Sequence, residues 1–278
     1  MTSSGVDAAF ARARSFVAGL GDGLARVRAG AVLGDVPPGA LSAALRARQA
    51  EDGSFGLAGD AVAGTFSGLA VLADADVVDG PEVARAVAWL ESRQEADGGW
   101  SPPPGAAPGA RLVLAGLVAG LLARGSCARG ASLARAGRLL AEGWTPDRVR
   151  GGDFGMIAAY AGFFARTPHP LSDAGLQWCG RELERAFRSG RLGPLQTARV
   201  LVLADAPALP GGRIPPEDLV AALLETQSDD GGWLGGEAPA VRRADATVEA
   251  LVALRRLARR RPETLADPHL HPHSHSRP

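Results

Sequence analysis

Ser92-Arg93-Gln94-Glu95-Ala96-Asp97-Gly98-Gly99-Trp100 is a phrase that this chain writes three times. It returns as Gln49-Ala50-Glu51-Asp52-Gly53-Ser54-Phe55 and as Gln227-Ser228-Asp229-Asp230-Gly231-Gly232-Trp233. Each time a helix-like run ends in Gln, Asp-Gly follows three residues later, and an aromatic stands two places after the Gly. A unit repeated in this way sets the architecture into which any chemistry has to fit. The phrase has a mechanical reading. A helix leaves its last carbonyls unpaired, and a Gly beyond its end closes it in the left-handed conformation. The Gln amide can tie loose carbonyls to a neighbouring helix, and the aromatic can pack over the Gly backbone, where only Gly permits the approach. Gln49, Gln94, Gln227, Trp100 and Trp233 are therefore read as staples rather than as catalytic groups.

Working outward, apolar residues recur at helical spacing and almost no segment alternates as a strand would. The spacing predicts helix pairs over about Gly39–Arg48 with Asp60–Leu72, Pro81–Arg93 with Gly109–Arg124, and Ala131–Glu142 with Phe154–Arg166. Further pairs follow over Ser172–Arg188 with Pro194–Leu203 and over Pro216–Thr226 with Ala244–Arg260. The stretch Val6–Leu33 supplies one or two more helices. One domain is expected over residues 1–264, followed by a His- and Pro-rich tail over 265–278.

The bulk numbers fit packed helices. The 278 residues suffice to bury a sizeable core, and the chain is 46% hydrophobic but only 5% aromatic, so small side chains must make most helix contacts. All thirty cations are Arg, balanced by thirty acids. The one dense basic run, Arg255 to Arg261, closes the last predicted helix, where the dipole favours cations. It lacks the interleaved aromatics of a nucleic-acid surface, so no nucleic-acid partner is expected. Cys127 and Cys179 form no Cys-x-x-Cys and read as free thiols of a reducing compartment. The first ten residues lack the basic and apolar segments of a signal peptide, and the longest apolar stretch, Leu112–Ala123, is too short to span a bilayer. A cytoplasmic protein without a membrane span is expected. The alternate imidazoles from His269 to His275 lie among Pro and Ser and read as a solvated tail rather than a metal site.

The second unit, Arg85-Ala86-x-x-Trp89-Leu90-x-x-x-Gln94-x-x-x-Gly98-x-Trp100, resembles position for position the Gln–Trp repeat of the class II terpene cyclases, the squalene–hopene cyclase family. Protein-prenyltransferase β-subunits and complement-type thioester domains share a looser form. The resemblance runs from about Gly39 to Arg260, strongly in three units and weakly in two. It implies an all-α fold, an (α/α)5–6 toroid of alternating inner and outer helices with a cavity on the axis. Parallel inner helices would crowd their N-termini at one mouth, where free N–H groups and dipoles favour anions. The residues at those helix starts are thus the candidates for substrate contact: Asp60, Arg111, Asp153, Phe154, Arg242, Arg243 and Glu249, with Tyr160 deeper on the third inner helix.

Asp245-Ala246-Thr247-Val248-Glu249 is similar to the Asp-Cys-Thr-Ala-Glu stretch of oxidosqualene cyclases and aligns with the Asp-x-Asp-Asp-Thr motif of bacterial ones. On that alignment Asp245 takes the place of the proton-donating Asp, while the flanking acidic positions are Arg243 and Ala246 here. Protonating an alkene requires a neutral carboxylic acid, whereas Arg243 would tend to hold Asp245 ionised. Asp245 is thus read either as a catalytic acid or as a salt-bridged or capping residue. Cations are stabilised by π faces, and Phe66, Phe154, Tyr160, Phe163 and Phe164 are the aromatics available to line a small cavity. The resemblance implies protonation-initiated cyclisation of a linear isoprenoid of mono- to diterpene size. The alternative is a binding or scaffold module, open to a protein partner, or altered chemistry in the same cavity. No cofactor is implied; Mg2+ would enter only with a diphosphate substrate. The zinc chemistry of the prenyltransferases needs an Asp-x-Cys pair and a late His, and Ala246 stands near the late His position.

Overall fold

Proline at the first turn starts several of the helices and an Asp cap starts two others, so these ends are set locally before any packing is considered. The computed structural model describes residues 3–19, 23–57, 60–234 and 238–259. Among these, thirteen helices follow one another: α1 (Ser3–Ala18), α2 (Gly23–Leu33), α3 (Pro38–Arg46), α4 (Ala61–Asp74), α5 (Pro81–Ser92), α6 (Ala110–Leu122) and α7 (Gly130–Glu142). The rest are α8 (Pro146–Val149), α9 (Phe154–Phe164), α10 (Ser172–Arg188), α11 (Pro194–Ala204), α12 (Pro216–Glu225) and α13 (Ala240–Arg259). The described residues contain no strand, only an isolated bridge between Gln49 and Phe55. The fold is all-α, and each helix pair expected from the spacing is present. The N-terminal stretch supplies two helices, α8 is an addition, and the tail lies outside the described residues.

Pro38, Pro81, Pro194 and Pro216 each open a helix, where a missing N–H costs nothing and the fixed φ suits the first turn. Asp60 caps α4 by accepting from the Val62 N–H at 3.1 Å, and Asp153 caps α9 by accepting from the Met156 N–H at 2.9 Å. Apart from the short α8, the helices divide into two sets by contact. In the first set α2 packs on α4, α4 on α6, α6 on α9, α9 on α11, α11 on α13 and α13 again on α2. The second set, α1, α3, α5, α7, α10 and α12, flanks the first. Small residues bring the first set together. A Cβ at Gly116 would lie 2.6 Å from the Ala159 Cβ, and one at Gly120 would lie 2.8 Å from the Gly162 carbonyl carbon. The glycines of α6 thus let its backbone rest on that of α9.

The repeated phrase does what its chemistry suggests. The Gln94 amide donates to Gly98 O and Ser132 O, both at 3.0 Å, joining the end of α5 to α7. Gln49 donates to Gly53 O and Glu82 O, joining α3 to α5. Gln227 donates to Gly231 O and Ala9 O, joining α12 to α1. Each Gln carbonyl accepts from an Arg of the helix it reaches: Arg135, Arg85 and Arg12 respectively. Gly98 has φ +95°, and a Cβ there would lie 2.3 Å from Arg135 O, so any larger residue would push the helices apart. Trp100 and Trp233 are fully enclosed, and their indole N–H groups donate to Leu90 O and Leu223 O at 2.8 and 3.0 Å. Phe55 fills the corresponding place against Gly68.

Among the described residues no helix is long and apolar enough to cross a membrane. Cys127 and Cys179 are both free, Cys179 buried.

Candidate functional site

The carboxyl ends of the inner helices are brought together by arginines. Arg255 donates to Val32 O at 2.8 Å, Arg256 to Ala73 O at 3.2 Å and Val202 O at 3.3 Å, Arg124 to Ala73 O and Arg166 to Leu203 O, both at 3.3 Å. The ends of α2, α4, α6, α9, α11 and α13 thus meet at one side of the molecule. Helix ends carry unpaired carbonyls and partial negative charge, which explains the cations. Asp76 and Asp205 sit among these cations: Asp76 pairs with Arg256 at 3.0 Å and Asp205 approaches both Arg166 and Arg256 at 3.8 Å.

Beneath this layer lies a cavity with about 560 Å3 of empty space, its open mouth included. Its wall comes from five inner helices: Arg28 of α2, Phe66, Ala70 and Asp74 of α4, Leu121 with Arg124 just beyond α6, Arg199, Val202 and Leu203 of α11, and Glu249 and Val252 of α13. One part of the wall is apolar and the rest is ionic. Arg28 donates to Asp74 at 2.5 and 2.9 Å and to Asp245 at 2.9 Å, which makes it the shared partner of two carboxylates. Burial works against its charge, but Asp74, then Asp245 and Glu249, outweigh that and raise its pKa. Arg199 pairs with Glu249. Burial nevertheless pushes the Glu249 carboxyl upward, Arg199 and Arg28 oppose the rise, and Asp74 and Asp245 add to it. Arg124 is held down to about 10 by burial first and then by Arg256 and Arg166.

Of the residues expected to contact substrate, Glu249 alone lines this cavity, and of the aromatics expected to line it Phe66 does. Asp245 lies beside it, its side chain 61% exposed, with Arg28 as its partner. The expected neighbour, Arg243, turns away: it binds Asp230 at 2.7 Å and Leu234 O at 3.0 Å and covers the Phe16 ring at 4.7 Å. Arg111 does the same one repeat earlier, binding Asp97 at 2.6 Å and Glu95 at 2.7 Å. Both arginines therefore clamp the Asp of the repeated phrase rather than face the cavity. Asp60 and Asp153 are consumed as caps, Phe154 packs against the core, and Arg242 is exposed away from the cavity wall. Tyr160 is fully buried with its ring edge-on to Trp144 at 4.7 Å and stacked on Phe164 at 6.0 Å. Its hydroxyl has no hydrogen-bond partner among the described residues, and burial raises its pKa to about 12. The aromatic cluster of α9 is thus core, and Phe66 is the one aromatic in the cavity wall.

The cavity lies toward the carboxyl ends of the inner helices, whereas the expected mouth is at their amino ends. Helix N-termini favour anions in general, but here capping Asp residues and the clamps on Asp97 and Asp230 occupy that end. The residues missed were Arg28, Asp74, Arg124 and Arg199. A signal for two of them is visible in the sequence: the apolar runs of α4 and α6 each close on a single charge, Asp74 and Arg124, and those of α9 and α11 on Arg166 and Asp205.

Among the described residues no group of three or more His, Cys, Asp and Glu is placed to hold a metal ion. Compared with protein-family models and with curated proteins, the chain matches none.

Proposed function

We propose that this chain is an α/α toroid of the terpene cyclase and prenyltransferase type that binds a small isoprenoid-like molecule in the cavity among its inner helices. The observation that carries this reading is the cavity wall itself, built from five of the six helices that pack in a closed succession, with Phe66, Ala70, Leu121, Val202, Leu203 and Val252 as its apolar part. Concave, mostly apolar sites with a few placed polar groups are the usual form of a small-molecule site. Binding is tested by calorimetric titration with linear isoprenoid alcohols of ten to twenty carbons. Saturable binding that is lost in Ala70→Phe, a substitution that fills the cavity, supports the reading. Absence of binding by all chain lengths, whether offered as alcohol, acid or diphosphate, refutes it.

A second reading, protonation-initiated cyclisation, is favoured by Glu249. Burial favours the neutral form of this carboxyl, and it faces the cavity beside the carboxylates of Asp74 and Asp245. In that reaction the acid gives its proton to an alkene carbon, the cation closes a ring, and loss of a proton yields an isomer of the substrate. Asp245 suits the role less, because it is largely exposed to water and bound by Arg28. Product analysis after incubation with the same isoprenoids distinguishes the two acids. Turnover that survives Asp245→Asn and disappears in Glu249→Gln supports Glu249; the reverse pattern restores Asp245, and no product from any substrate removes the enzymatic reading.

A further inference from the structure

We infer that the ligand of this cavity carries an anionic head, a carboxylate or a phosphate, and that the Arg124 guanidinium receives it. The inference rests on the cavity being a binding site and concerns which molecules it selects.

Three guanidinium groups line the cavity, those of Arg28, Arg124 and Arg199, against two carboxylates, those of Asp74 and Glu249. Arg28 is paired with Asp74 and also with Asp245 at the rim, and Arg199 is paired with Glu249. That leaves Arg124, which has no carboxylate within ion-pair distance among the described residues. Its hydrogen bond to Ala73 O, at 3.3 Å, uses one of the five N–H donors of a guanidinium. Arg256 and Arg166 repel it more strongly than the charges of Asp74 and Asp205 attract it. A mostly buried cation beside two like charges costs stability unless an opposite charge joins it. The planar fork of Arg matches the two oxygens of a carboxylate or phosphate. Leu121, three residues before Arg124, and Val202 extend the wall from that point in apolar form, which suits a chain attached to the head.

The position also explains why the guanidinium is tolerated in the empty protein. The carboxyl ends of α4 and α6 face it with partial negative charge, which compensates in part without filling the donors. A purely structural role, by contrast, would make Arg124 a cap for α4, and its removal would then destabilise the empty protein.

The experiment compares three probes of one chain length, farnesol, farnesoic acid and farnesyl diphosphate, by calorimetric titration of the full chain below their aggregation concentrations. Wild type is expected to bind one of the anions at least 10-fold more tightly than the alcohol, and which anion wins separates a carboxylate site from a phosphate site. Arg124→Met keeps the length of the side chain and removes the charge. It is expected to weaken that anion by about 10- to 100-fold, the range for a lost charge-assisted hydrogen bond, to leave the alcohol within about 2-fold, and to leave the thermal midpoint of the ligand-free protein unchanged or raised. Arg124→Lys should retain part of the preference. Equal binding of all three probes by wild type overturns the anionic head while leaving the cavity reading in place. Binding of no probe overturns both. If Arg124→Met lowers the ligand-free midpoint and weakens alcohol and anion alike, Arg124 is a cap and the inference fails. The wild-type comparison remains decisive even if the variant does not fold.

Discussion

At the scale of single residues, the repeated phrase is where the fold is most sensitive. Gln94 bridges two carbonyls with one amide and accepts from Ser132 and Arg135 in return. Gln94→Ala removes the side-chain donor shared by two partly buried carbonyls and is expected to cost about 2 kcal/mol, read from urea unfolding. Gly98→Ala should cost more, about 3 kcal/mol, since it adds a left-handed backbone penalty to a collision with Arg135 O. A Gly98→Ala protein as stable as wild type would show that the helices separate freely at this point. The Asp of the phrase adds a pH dependence. Asp97 is held below the ordinary carboxylate range by Arg111 and by the Gly99 N–H, and Asp230 by Arg243 and the Gly232 N–H. A carboxyl with a lowered folded pKa contributes stability above its unfolded value, near 4, and loses that contribution as the pH falls through the folded value. The thermal midpoint should therefore decline below about pH 4, and Asp97→Asn should flatten the decline. Both groups are half exposed, so each contributes little and the slope of the curve is the quantity to follow.

At the scale of elements, the contact between α6 and α9 depends on absent side chains. Gly116 and Gly120 lie one helical turn apart and both meet α9 backbone or Cβ atoms closer than any real Cβ allows. Gly120→Val is expected to destabilise by about 3 kcal/mol through overpacking. Gly130→Ala, at the first residue of α7 with nothing within 4 Å of the added methyl, should be neutral or gain about 0.4–1 kcal/mol by restricting the unfolded chain. Thermal melts of the two variants in parallel check the contrast, and equal effects would contradict the close helix contact. This level also shows what could be read from the chain in advance. Helix positions were legible because period, caps and prolines are local signals. So were the staples, whose partners Gln94 and Gly98 are four residues apart. The cavity was not, because Arg28, Asp74, Arg124, Arg199 and Glu249 come from five helices and meet only through the packing of the whole chain. Dipole reasoning also chose the N-terminal mouth, since nothing in one helix alone reveals that Asp60, Asp153 and the Arg111 and Arg243 clamps already use that end. The Asp245 alignment found the neighbourhood of Glu249 but not the partner, Arg28, which lies 217 residues away.

At the scale of the whole molecule, the decisive contact is the one between the end of the chain and its beginning. Gln227 binds Ala9 O and its carbonyl accepts from Arg12, while a Cβ at Gly231 would lie 2.3 Å from Arg12 O. The last copy of the phrase therefore grips α1 just as the earlier copies grip α5 and α7, and α13 packs on both α1 and α2. In an open array of repeats, stability is nearly a sum over neighbours, and an end unit can fray while the rest stays folded. A closed succession has no end unit, so loss of any one staple weakens all units together. Gln227→Ala and Gln49→Ala are thus expected to lower stability by similar amounts, about 2 kcal/mol each. Each variant should keep a single unfolding transition that coincides in near- and far-ultraviolet circular dichroism. Hydrogen exchange sharpens the test, because the slowest amides of α4, α9 and α13 should share one opening free energy in wild type. Gln227→Ala should lower it by the same increment in all three helices. Protection lost from α1, α12 and α13 alone, with α4 and α9 unchanged, would mean that the succession behaves as an open array despite the Gln227 contact, and the proposed toroid would no longer stand.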